Sequence, residues 1–198
     1  MYYYNLNLTI EPLVNEVNQP VSLGPRMTNL AEKIELDNIN PELISLLSSR
    51  DIAVGWVELF HKMPGMGAWE QIHIDEYRGD FAKLNWVYGG LGSRMCWFEE
   101  LVPGQTQISY NEMGGPYISF QYKDVKLVES TRLLGPCIIQ AGVPHNVIMG
   151  SEPRHALSMV LLDKTAKVRK RLLMQEAVDR LADLLVPREG IEPPSPRS

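Results

Sequence analysis

The sequence predicts a mainly β protein with flanking helices, folded as a sandwich or jelly roll. Three observations predict it. From about residue 70 to 162, short runs rich in β-branched and aromatic residues recur, divided by Gly, Pro and Asn turns. Before this block, Asn40-Pro41-Glu42 reads as a helix start: a capping Asn, Pro at the first helical position, then an early acid. After it, from Asp163, runs a stretch with neither Gly nor Pro that carries an apolar face at helical spacing.

Taken in order, a weak helical pattern covers Met27 to Leu36. A helix over 41–49 follows, with Leu43, Ile44, Leu46 and Leu47 as its apolar stripe. Residues 52–60, IAVGWVELF, fit either a strand or a buried helix. Strands are expected at 72–75, 81–88, 94–99, 106–110, 117–122, 125–134, 137–141, 145–149 and 154–162. The GGLGS run at 89–93 lacks the Lys-Ser/Thr of a phosphate loop and reads as a hairpin turn. A C-terminal helix is expected over 164–186, with Val168, Leu172, Val178, Leu181 and Leu185 on one face. Lys164, Lys167, Arg169, Lys170 and Arg171 make its first half basic, so it packs on the sheet, forms a homodimer contact or meets an anionic partner. Residues 187–198, PREGIEPPSPRS, read as a disordered tail, which leaves residues 1–186 as one domain.

Composition excludes several classes. A chain of 198 residues with 44% hydrophobic and 22% charged residues is an ordinary globular domain. A net charge of −5 offers no basic surplus for nucleic acid. No apolar run reaches the roughly 18 residues of a membrane span. The start, MYYYNLNLTI, lacks the cationic and apolar regions of a secretory signal. Two cysteines are too few for a disulfide framework, so a cytoplasmic protein with reduced thiols is expected. Cys96 and Cys137 sit among apolar residues and read as buried, inert thiols.

The chemistry-bearing residues are few. Of the four histidines, His73 stands in Ile72-His73-Ile74-Asp75. In a strand, residues i and i+2 share a face, so His73 and Asp75 point together while Ile72 and Ile74 fill the other side. His145, at the start of a late β run, supplies a second imidazole. Two imidazoles and one carboxylate on one face of an ion suit non-heme Fe(II), with other positions left open. Arg154 begins the next run, PRHALSMVLL, and shares a face with Ala156 and Ser158. An arginine in an apolar strand is costly unless it meets an anion, and a guanidinium grips a carboxylate with two parallel hydrogen bonds. His155 faces the opposite way and reads as packed or surface, and His61 has no assigned role.

This order of H-x-D, a distant His and an Arg on the next strand resembles the Fe(II)/2-oxoglutarate-dependent oxygenases. Their fold is a double-stranded β-helix, a form of jelly roll shared with cupins. The resemblance covers residues 70–162. It implies that His73, Asp75 and His145 are iron ligands and that Arg154 binds the distal carboxylate of 2-oxoglutarate. Where the family often has Ser or Thr two residues after the Arg, this chain has Ala156, with Ser158 two further on. The segment Asp80-Phe-Ala-Lys-Leu-Asn85-Trp86 resembles a pocket-lining strand of phytanoyl-type and aspartyl/prolyl-hydroxylase-type members. It implies contacts from Asn85 to 2-oxoglutarate and from Trp86 to substrate.

The expected function is therefore a dioxygenase that hydroxylates a small-molecule or peptidyl substrate and releases succinate and CO2. Halogenases usually lack the carboxylate ligand, so Asp75 favours hydroxylation or desaturation. Two other readings stand beside it: a cupin-like metal protein acting as an isomerase or sensor, and a non-catalytic jelly-roll assembly protein with an accidental H-x-D. The segment 62–71, with Trp69, reads as a mobile rim over the site or a plain loop.

Overall fold

A computed structural model describes residues 1–14, 29–64, 71–75, 77–104, 107–110 and 116–187. The chain is mostly strand, arranged in two six-stranded antiparallel sheets. The strands are β1 (Tyr3–Asn5), β2 (Asn29–Ile34), β3 (Ile52–Lys62), β4 (Ile72–Asp75), β5 (Ala82–Gly89) and β6 (Arg94–Glu100). They continue with β7 (Gln107–Tyr110), β8 (Pro116–Phe120), β9 (Val125–Thr131), β10 (Gly135–Gln140), β11 (His145–Ile148) and β12 (Arg154–Asp163). One sheet runs β1-β10-β5-β12-β3-β2, the other β7-β8-β4-β11-β6-β9. Helix α1 (Pro41–Ser48) and helix α2 (Met174–Arg180) join the first sheet.

Side-chain alternation decides what each face meets. On β5 and β12, Leu84, Trp86, Leu157, Met159 and Leu161 point one way, into a core closed by Leu43 and Leu47 of α1 and by Ala177 and Val178 of α2. Val87, Ala156 and Cys137 point the other way and pack against Met95, Trp97 and Val147 of the second sheet. The two sheets therefore face one another across that second core. Ile72 lies with Cys96, Phe98 and Val125 behind the second sheet.

Helix α1 forms as its sequence dictates. The Asn40 Oδ1 accepts a hydrogen bond from the Glu42 N–H at 2.9 Å, and Pro41 takes the first turn, where a missing N–H costs nothing. Residues 52–62 resolve as the long strand β3, because both of its edges are paired, by β12 and β2.

Three expectations are corrected. The segment 29–34, read as part of a helix, is strand β2, from Asn29↔Lys62 to Ile34↔Val57; the open edge of β3 outweighs a weak helical pattern. The 89–93 turn is not a hairpin, since β5 and β6 lie in different sheets; it carries the chain between them. The long C-terminal helix is instead a turn, an extended crossing and the short α2. Asp163 Oδ1 accepts from Thr165 N–H and hydroxyl, which turns the chain, and Leu172 then bonds to the sheet through Leu161 and Ala82. Helix α2 begins only at Met174, where Glu176 accepts from the Leu173 N–H at 2.9 Å. Its apolar residues Met174, Ala177 and Val178 are buried in the chain's own core, so they offer no homodimer face. Val168, expected on the apolar stripe, is exposed.

Among the described residues no helix is long and apolar enough to cross a membrane. The expected tail, beyond residue 187, and the rim residues 65–70 lie outside the described residues.

Candidate metal centre

The fold brings His73, Asp75 and His145 together, their ligand atoms all within 4.8 Å of one another. Strand register does this. β4 and β11 are neighbours, with His145 directly opposite His73, and the two-residue period puts Asp75 beside His73 on the same face. Ile72 and Ile74 are buried behind, as the alternation requires. Asp75 Oδ1 lies 3.3 Å from His73 Nε2 and 3.9 Å from His145 Nε2.

Both imidazoles are oriented by backbone. His73 Nδ1 pairs with the Gln71 carbonyl and His145 Nδ1 with the Val143 carbonyl, each at 2.8 Å. A carbonyl only accepts, so each Nδ1 donates a proton to it and each Nε2 faces the shared space. Burial, with His73 close by, pushes the His145 pKa down to about 4, which leaves it neutral and able to ligate at pH 7. Burial alone would raise the Asp75 carboxyl, but the Lys83 ammonium and the two imidazoles hold it well below the usual carboxylate range. Two imidazole nitrogens and one carboxylate oxygen converging on one point fit a divalent first-row metal such as Fe(II).

The remaining predicted residues divide. Ser158 faces Asn85 across β12 and β5, and Ala156 faces Val87 one step along. Since Val87 and Ala156 point between the sheets, Asn85, Ser158 and Arg154 do too. Asn85 is buried and its Oδ1 has no hydrogen-bond partner among the described residues. Arg154 is 6% exposed, and among the described residues no carboxylate or hydrogen-bond acceptor meets its guanidinium. Burial lowers its pKa to about 10, with only the Cys137 thiol opposing. Gly90 accommodates this arginine: φ is +69°, and a Cβ there would lie 2.8 Å from the Arg154 Cβ. Trp86 is not brought to the site. It alternates with Asn85 and lies in the core under the helices, so its expected contact with substrate is corrected.

His61 and His155 lie opposite one another on β3 and β12 and pair through their Nδ1 atoms at 2.8 Å, on the face away from the triad. Cys96 and Cys137 are free and buried, as their surroundings predict, and burial pushes the Cys137 thiol up to about 12. One residue at the centre escaped the sequence reading: Lys83, whose Nζ stands 2.8 Å from Asp75 Oδ2. The signal was present, since a lysine within FAKLNWVY is as costly in an apolar strand as Arg154 is in its own.

No family model matches the chain, and no curated protein matches it. Among solved structures it is similar to the X-ray structure of E. coli ycfD, at 14% identity and a TM-score of 0.34, over 66% of this chain and 29% of that one. The chain thus spans less than a third of that protein, and a likeness this distant carries no argument about function.

Proposed function

We propose that the protein is an Fe(II)- and 2-oxoglutarate-dependent dioxygenase on a double-stranded β-helix, hydroxylating a small-molecule or peptidyl substrate. The observation that carries this reading is Arg154. A buried guanidinium that meets no counter-charge among the described residues is costly, and it lies between the same two sheets as a triad suited to Fe(II). A dianionic co-substrate that ligates a metal at one end and needs a cation at the other satisfies both features.

Each residue then has a task. His73, Asp75 and His145 would hold the metal through Nε2, Oδ1 and Nε2. Fe(II) held there would activate O2, the oxidant, which would oxidise 2-oxoglutarate to succinate and CO2 and hydroxylate a substrate C–H bond, one oxygen atom going to each product. Arg154 donates two parallel hydrogen bonds to the distal carboxylate and fixes the co-substrate's direction. Ser158 and Asn85 lie between, where a hydroxyl and an amide can meet a carboxylate. A half-turn of the Asn85 amide exchanges its unpartnered oxygen for an N–H donor. Val87, Ala156 and Trp97 pack between the sheets beside them, and an apolar setting strengthens charge pairing.

The test is calorimetric binding of 2-oxoglutarate to the Mn(II)-loaded protein, with succinate release in Fe(II), ascorbate and oxygen. Micromolar binding that is lost in His73→Ala and Arg154→Met supports the reading. Metal binding without 2-oxoglutarate binding would replace it with the cupin-like isomerase or sensor. No metal binding would leave a jelly-roll assembly protein.

A further inference from the structure

The two oxygens of Asp75 are committed differently. Oδ1 faces both imidazole Nε2 atoms, whereas Oδ2 meets the Lys83 ammonium at 2.8 Å. Lys83 is held firmly. Its backbone is paired on both sides, to Ile139 of β10 and Val160 of β12. Its side chain is 5% exposed, and Glu58 Oε2 stands 3.7 Å from Nζ. A carboxylate ligates a cation through one oxygen or through both, and the second mode consumes one more coordination position. An oxygen tied to a buried ammonium by a charge-assisted hydrogen bond is not free to swing onto the ion.

We propose that Lys83 is a positioning residue that keeps Asp75 a one-oxygen ligand, so that the position Oδ2 would occupy stays open to exogenous ligands. This rests on the reading of His73, Asp75 and His145 as a metal site. It deepens that reading by naming the group that sets how many positions are available. A co-substrate that takes two positions and an oxidant that takes a third leave none to spare on an octahedral ion.

The test counts waters on Mn(II), used alone as the probe, by the broadening of its EPR lines in 17O-enriched water at pH 8. The wild-type protein, Lys83→Met and Lys83→Arg are compared, with near-ultraviolet circular dichroism as the check of folding. The expected result is one water fewer in Lys83→Met than in wild type, with the wild-type number restored in Lys83→Arg. Lys83→Gln, shorter and neutral, takes the place of the methionine variant if that one does not fold. An unchanged water number in the neutral variants overturns the role of Lys83 while leaving the metal site intact, as does a loss that arginine does not restore. Failure of the wild-type protein to bind Mn(II) overturns the metal site itself.

Discussion

Arg154→Met is expected to stabilise the metal-free protein while removing its response to 2-oxoglutarate. Burial moves the Arg154 pKa from 12.5 to about 10. At roughly 1.4 kcal/mol per pKa unit, that difference of 2.5 makes the buried charge cost about 3 kcal/mol. The sign follows from linkage: a base with a lowered folded pKa carries the full cost at every pH below about 10, and the cost vanishes only above 12.5. It is therefore fully present at pH 7.5. Methionine keeps the apolar stem and deletes the head, so a gain of about 1–3 kcal/mol is expected once some packing is lost. Urea unfolding of both proteins without metal measures it. The same titration with Mn(II) and 2-oxoglutarate should stabilise wild type further and leave the variant where it was. A metal-free variant less stable than wild type by about 1 kcal/mol or more would show that the guanidinium already has a partner, refuting the reasoning. Equal stabilisation of both by 2-oxoglutarate would remove Arg154 from the site.

Three further outcomes are expected. His145 has a folded pKa of about 4 against 6.5, so the unfolded chain takes up its proton first. Wild type should lose about 3 kcal/mol relative to His145→Asn as pH falls from 6.5 to 4, read from urea midpoints without metal; a pH-independent gap would contradict this. Trp86→Phe should cost about 1–3 kcal/mol of stability yet leave Mn(II) affinity unchanged, because Trp86 packs under the helices; a tenfold change in affinity would place it at the site. Gly90→Ala should destabilise by more than about 1 kcal/mol and weaken 2-oxoglutarate binding, since φ is +69° and the new methyl presses on Arg154; wild-type affinity by calorimetry would argue that Arg154 does not need this space.

Local signals read well where a short stretch carries all the information. Asn40, Pro41 and Leu43 specify the start and buried face of α1 within one turn, and the structure agrees. The alternation of Ile72, His73, Ile74 and Asp75 likewise determines which two side chains share a face, because the strand period is a backbone property. The helix ends failed for a reason of the same kind. Residues 164–173 have helical composition, but Asp163 bonds Thr165 and Leu172 finds partners in Leu161 and Ala82, and a sheet edge is not visible in a local pattern.

By itself, then, the sequence determined the β-rich class, the first helix, the H-x-D face and the residue types able to hold a metal and a carboxylate. Only the tertiary structure decided that His145 stands opposite His73, that Arg154 meets no counter-charge among the described residues, that Trp86 turns away and that Lys83 holds Asp75. The division is physical: the period of a strand is set within a few residues, whereas which strands become neighbours depends on burial summed over the whole chain.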